Sequence, residues 1–271
     1  MNKFYIQIAL FLLSIFAYAN NEALAAEPAP GEDTKQLSRI ATSEEVYEKN
    51  KHLLHALENN ANVNKVMKEA VKQIEYHATS TDGYEPYIQN HGDGISFYIK
   101  KHDNQTDILK MNLNIYASNQ YDDIVNRLWD PNSPNIFNKG DVEIVRVYGP
   151  NLVMIRQRYE KDSKGHHKYF YALVKRAEIS KDKTIIAMTS SNTSNGSRPN
   201  IIYKNPVLKN AYLFSDYINP KDYATNEKYK KMHVNLAGYL IEKKGDDLEI
   251  TYIESIDDYP TINKNELLEK L

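Results

Sequence analysis

The residues from His233 to Asp257 read HVNLAGYLIEKKGDDLEITYIESID, two apolar runs rich in Tyr and Ile around Lys243-Lys244-Gly245-Asp246-Asp247. The central glycine supplies positive φ at no steric cost, so the segment reads as one long β-hairpin. Alternation puts Val234, Leu236, Gly238 and Leu240 on one face of the outgoing strand. It puts Leu248, Ile250, Tyr252 and Glu254 on one face of the return strand. Pro260 then ends the pairing. A ribbon this long and this apolar needs further strands beside it and a layer that covers it.

Those strands stand upstream. Val142–Tyr148 and Leu152–Tyr159 flank the turn residues Gly149-Pro150-Asn151. Lys168–Glu178 follows a polar tip, Lys161–His167, in which His166 and His167 read as solvated. Ser180-Lys181-Asp182-Lys183 turns the chain into Thr184–Ser190. Each run is short and β-branched or aromatic, at antiparallel hairpin spacing. Nearer the N-terminus, Thr42-Ser43-Glu44-Glu45 reads as a capping box opening a helix to about Glu58. A second helix over Asn62–His77 aligns Val63, Val66, Met67, Ala70, Val71 and Ile74. Candidate strands Tyr84–Gln89, Gly94–Lys101 and Ile108–Tyr116 follow, then a helix over Gln120–Leu128 leading to Trp129-Asp130-Pro131. The sum is an α+β domain with a curved antiparallel sheet.

Met1-Asn2-Lys3, the apolar stretch Phe4–Ala19 and Ala23-Leu24-Ala25 have the three parts of a secretory signal peptide, placed at 1–25. Residues 26–41 read as a disordered linker and 42–271 as one domain, about 230 residues, enough for a substantial core. The chain has no cysteine, so stability must come from packing alone. The net charge of −2 gives no electrostatic reason to expect nucleic acid. No Ser-His-Asp order, paired carboxylates, phosphate-cradling glycine loop or closed metal-ligand set stands out, so neither catalysis nor a cofactor is expected.

The segments LWDPNSPNIFN at 128–138, KYFYALVKRAEISKDKTIIAMTSS at 168–191 and the closing hairpin resemble the StAR-related lipid-transfer (START) domain. The leader, AEPAPGEDT at 26–34, TSEEVYEKNKHLL at 42–54 and PNLVMIRQRY at 150–159 resemble the Plasmodium fam-a proteins, a malaria-parasite family with START-type domains. The resemblance implies a helix-grip fold: a curved sheet around a C-terminal helix, with a lipid-sized tunnel between them. It implies phospholipid cargo, chiefly phosphatidylcholine, transient contact with membrane surfaces, a monomer, and secretion to the parasitophorous vacuole or the host cell.

It also implies site residues. Tyr169 and Tyr212 fall where the family places rings that cage a choline ammonium, by cation–π attraction of about 0.5–2 kcal/mol each. A third cage position aligns with Ile155, and Tyr171, two residues from Tyr169, is placed to compensate. The family's phosphate-binding Arg aligns with Pro134 and its Asp partner with Asn138, so Arg156 and Arg158 are the substitute phosphate ligands. Alternation puts both with Met154 and away from Ile155. Asn263–Leu271 gives about two helical turns, which implies a shortened C-terminal helix that covers part of the groove.

Overall fold

The computed structural model describes residues 40–54, 60–88, 94–102, 106–131, 133, 140–160, 165–190, 192–194, 203–217 and 228–257. The signal peptide, most of the linker, Pro134, Asn138 and the C-terminal helix lie outside these residues. The linker's end is not detached, because Ala41 packs on the core. Helix α1 spans Ser43–Asn50 and begins as expected: the Glu45 N–H donates to Thr42 Oγ1, and the Thr42 N–H donates to Glu45 Oε2 at 2.8 Å. It ends eight residues short of Glu58. Lys51–Leu53 tightens into a 3₁₀ turn, and Leu54 becomes extended to make a parallel bridge with Val147. A long-range strand contact overrides local helix propensity there.

Helix α2 spans Asn60–Thr79 and buries Val63, Val66, Met67, Ala70 and Ile74, as the periodicity predicts. Helix α3 spans Tyr121–Trp129. The strands are β1 (Glu85–Ile88), β2 (Ile95–Lys101), β3 (Asp107–Ile115), β4 (Gly140–Gly149), β5 (Leu152–Tyr159) and β6 (His167–Ser180). They continue with β7 (Lys183–Ser190), β8 (Asn192–Ser194), β9 (Ser215–Tyr217), β10 (Tyr229–Lys231), β11 (His233–Lys244) and β12 (Asp247–Asp257). Ten form one sheet in the order β1-β2-β3-β12-β11-β7-β6-β5-β4, with β10 pairing in parallel to the start of β6. The hairpin forms as read: Lys244 pairs with Asp247 around Gly245 at φ 63°. Strand β12 also pairs with β3, Ile250 opposite Leu113 and Tyr252 opposite Met111, which joins the N-terminal meander to the C-terminal hairpin.

The two faces of the sheet carry separate cores. One holds Trp129, Ile124, Phe97, Met111, Leu113, Ile155, Phe170, Ile250 and Tyr252 with helices α1 and α3; we call it the Trp129 face. The other holds Met154, Leu173, Ile185, Leu240 and Ile253 under α2 and the segment 207–214. Val234 and Leu236 do not share a face, contrary to the simple alternation. A bulge between them sends Val234 to the Trp129 face and Leu236 to the α2 face. The intervening Asn235 is fully buried and satisfied, donating to Asp257 Oδ1 at 2.8 Å and Ser255 Oγ at 3.2 Å. His167 is not a solvated tip either. It opens β6, bonds the Tyr159 carbonyl through Nδ1 at 2.9 Å and stacks on Tyr229.

Candidate functional site

Four of the five site residues named from sequence come together. Arg158 lies opposite Tyr169 and Arg156 opposite Tyr171 across the β5–β6 ladder. The ladder is regular there, so all four share the face of Met154 and Leu173, on which α2 packs. Tyr169 is buried, with its ring edge-on to Tyr171 at 6.1 Å and to Tyr229 of β10 at 6.4 Å. Burial, then the neighbouring Tyr171, pushes the Tyr169 hydroxyl up to about 12. Tyr212 does not join them: it sits on the 3₁₀ turn Ala211–Leu213 and is 64% exposed.

The arginines have strong partners of their own. Arg156 Nη2 donates to Glu143 Oε2 at 2.5 Å and lies 3.4 Å from Asp141 Oδ2. Arg158 Nε donates to Asp141 Oδ1 at 2.6 Å. The Arg156 side chain is 6% exposed and that of Arg158 34%. An incoming phosphate would have to displace carboxylates already in charge-assisted bonds. The cluster therefore resembles a neutralised polar edge more closely than an open anion receptor.

The Trp129 face carries a second arrangement that spacing did not single out. Glu254 is 1% exposed and continues the stripe Leu248, Ile250, Tyr252. Its Oε2 accepts from the Tyr252 hydroxyl, while Oε1 is buried without a partner among the described residues. Ala237 and Leu109, both buried, lie opposite it on the two flanking strands. Tyr239 lies across the ladder from Tyr252, ring centroids 4.9 Å apart. Burial pushes the Glu254 carboxyl up to about 7, against the opposing effect of the Tyr252 hydrogen bond. Burial also raises both tyrosine hydroxyls, with the charge of Glu254 adding to the effect. The Trp129 indole Nε1 is likewise buried without a partner among the described residues. The signal in the sequence was a glutamate at the end of an apolar alternating stripe; its surroundings come from β3 and β11, which only the fold supplies.

No protein-family model matches the chain, and no curated protein sequence does. Among solved structures it is similar to human StAR-related lipid transfer protein 5, at 12% identity and a TM-score of 0.51, over 78% of this chain and 89% of that one. Human STARD10 matches at 11% identity and a TM-score of 0.46, over 73% of this chain and 71% of that one. A STAR-related lipid transfer protein from Xanthomonas axonopodis matches at 11% identity and a TM-score of 0.43, over 68% and 86%. At such identities the likeness is one of fold, and the first of these carries it: the chain has a START-like, helix-grip fold built on a curved ten-stranded antiparallel sheet.

Proposed function

We propose that this chain is a non-enzymatic lipid-binding and transfer protein that shields a single lipid molecule against the Trp129 face of its sheet. The observation that carries the reading is the START-like fold, in which the similar human protein is a lipid transfer protein by name. The apolar residues of the Trp129 face give that reading a surface of suitable chemistry. The energetic need for such a protein is large. Burying a methylene is worth about 0.8 kcal/mol, so on the order of thirty of them in a two-chain lipid oppose its escape into water by roughly 20 kcal/mol. A dry protein interior offsets most of that cost. Transfer then needs only transient contact with a membrane, by a monomer.

Phosphatidylcholine is the cargo that the resemblance implies, with Tyr169 and Tyr171 as rings for its ammonium and Arg158 or Arg156 for its phosphate. The first half of that assignment would need the head group on the α2 face, where the ring pair lies, and not on the Trp129 face. The ion pairs with Asp141 and Glu143 weaken the second. Secretion, delivery to the vacuole or host cell, and fam-a membership belong to the same proposal. Mass spectrometry of lipid extracted from the purified chain tests the reading. We expect close to one lipid per protein; a folded, monodisperse protein with no extractable lipid would count against it.

A further inference from the structure

We propose that the outward stripe of helix α2 is an attachment surface for anionic membranes, separate from the Trp129 face. The inference goes beyond the lipid-carrier reading and does not need it, because α2 lies on the opposite side of the sheet.

The stripe follows from helical spacing. Helix α2 buries Val63, Val66, Met67, Ala70 and Ile74 against the sheet. Lys65, Lys68, Lys72 and Tyr76 stand at i, i+3, i+7 and i+11, which brings all four to the opposite, outer side. The three lysines are exposed, and none has an ion pair among the described residues. The carboxylates of the helix are engaged elsewhere. Glu69 accepts from the backbone N–H groups of Lys209 and Asn210, each at 2.9 Å, and Glu75 pairs with Lys183 at 2.9 Å. The bonds to Glu69 also hold the exposed Lys209 beside the helix. Lys175 of β6 joins from the sheet, its Nζ 3.5 Å from Asn64 Oδ1. Burial, then the Lys68 charge, lowers the Lys175 ammonium below the usual lysine range. The fold therefore gathers like charges on this side against their own repulsion.

The chemistry of the stripe selects its partner. The whole chain has a net charge of only −2, so a cationic strip is a local concentration and not a bulk property. It is built of lysines, flexible point charges that suit a diffuse anionic surface. Arginine, whose fixed fork recognises individual phosphates, does not occur in α2. Two exposed tyrosines border the strip, Tyr76 at 46% and Tyr212 at 64%. A ring with a polar tip suits the boundary between lipid head groups and hydrocarbon. From Lys65 to Tyr76 the stripe runs about 16 Å along the helix axis, so its charges meet an extended surface together. Each lysine held near an anionic leaflet adds to the attraction. Attachment by this side turns the Trp129 face away from the bilayer. The stripe thus retains the protein at a membrane and does not itself exchange cargo.

The test is sedimentation of the purified chain with vesicles of phosphatidylcholine alone and of phosphatidylcholine with about 30% phosphatidylserine. The wild-type protein should bind the anionic vesicles about tenfold or more tighter than the neutral ones, and raised salt should shrink that preference. Lys65→Gln, Lys68→Gln and Lys72→Gln combined should remove most of it. Lys49→Gln, Lys181→Gln and Lys243→Gln combined lose the same charge from exposed positions outside the stripe and should keep it. Equal binding of the two vesicle types by the wild-type protein overturns the inference. So does a stripe variant that binds like wild type, or an off-stripe variant that loses as much. Capture on immobilised polyglutamate without a phosphatidylserine preference overturns it in favour of an acidic protein partner. Lipid extracted from the same preparations is a separate readout. Vesicle preference without extractable lipid supports attachment and counts against the lipid-carrier reading; extractable lipid without vesicle preference does the reverse. Loss of extractable lipid in the stripe variant would contradict the separation of the two faces.

Discussion

At the scale of single residues, the informative groups are those whose environment disagrees with their chemistry. Glu254 is one, and its cost has a definite sign. Its folded pKa of about 7 lies above the ordinary 4.5, so the folded state binds the proton more tightly than the unfolded chain. The associated stability is present below about pH 4.5 and is lost as pH rises through 7, on the order of 3 kcal/mol. His77 works in the opposite direction. Burial, followed by the Lys100 charge, lowers it to about 4, so its contribution is present above its unfolded value and fades as pH falls. Urea unfolding at pH 5 and pH 8 separates the two: the contributions oppose each other in wild type, so Glu254→Gln should leave that of His77 alone and shift the stability difference in favour of pH 8. An unchanged difference between the two pH values would contradict the buried, half-titrated carboxyl. Tyr169 makes a second test. Its ring is buried against Tyr171 and Tyr229, so Tyr169→Ala should cost about 3 kcal/mol or more of stability, the scale of emptying an aromatic site. Thermal unfolding should register that loss before any lipid assay is interpreted; an unshifted melting temperature would mean that the ring is not packed as described.

At the scale of elements, what could be read in advance is what local chemistry determines. The β11–β12 turn was legible because Gly245 marks it and the apolar alternation runs outward from it on both sides. The start of α1 was legible because Thr42 and Glu45 are three apart. Its end was not, because Leu54 leaves the helix for Val147, more than ninety residues downstream by count of the two numbers. The bulge at Asn235 was also hidden, since nothing in VNL distinguishes a bulged strand from a regular one until Asp257 and Ser255 are placed beside it. Strand β10 has three residues and no periodicity to read. The glycines of β11 and its turn make a paired prediction. A Cβ on Gly238, at φ 152°, would lie 2.0 Å from the Ile186 carbonyl oxygen of the adjoining strand, whereas one on Gly245 meets nothing within 4 Å. Gly238→Ala should therefore cost about 4 kcal/mol or prevent folding, and Gly245→Ala only about 1–2 kcal/mol for its positive φ. Denaturant midpoints of equal size for the two variants would contradict the register of β11 against β7.

At the scale of the whole molecule, the sheet separates two jobs. The α2 face is closed by a long amphipathic helix and carries the paired arginines and the tyrosine cluster. The Trp129 face is apolar but keeps Glu254 Oε1 and Trp129 Nε1 buried without partners among the described residues. Family resemblance directed attention to Tyr169 and Arg158, which lie on the first face; the physical anomaly lies on the second. The sequence could place Glu254 on a strand and on a stripe, but not tell which layer would cover it. The central claim is that this face holds a lipid that the protein can carry between membranes. The most direct measurement is transfer of a fluorescent lipid from donor to acceptor vesicles, with the purified chain added at increasing concentration. The lipid-carrier reading predicts a transfer rate that rises in proportion to protein and exceeds spontaneous exchange. A folded protein that leaves the spontaneous rate unchanged for sterol, diacylglycerol and phosphatidylcholine alike would contradict it.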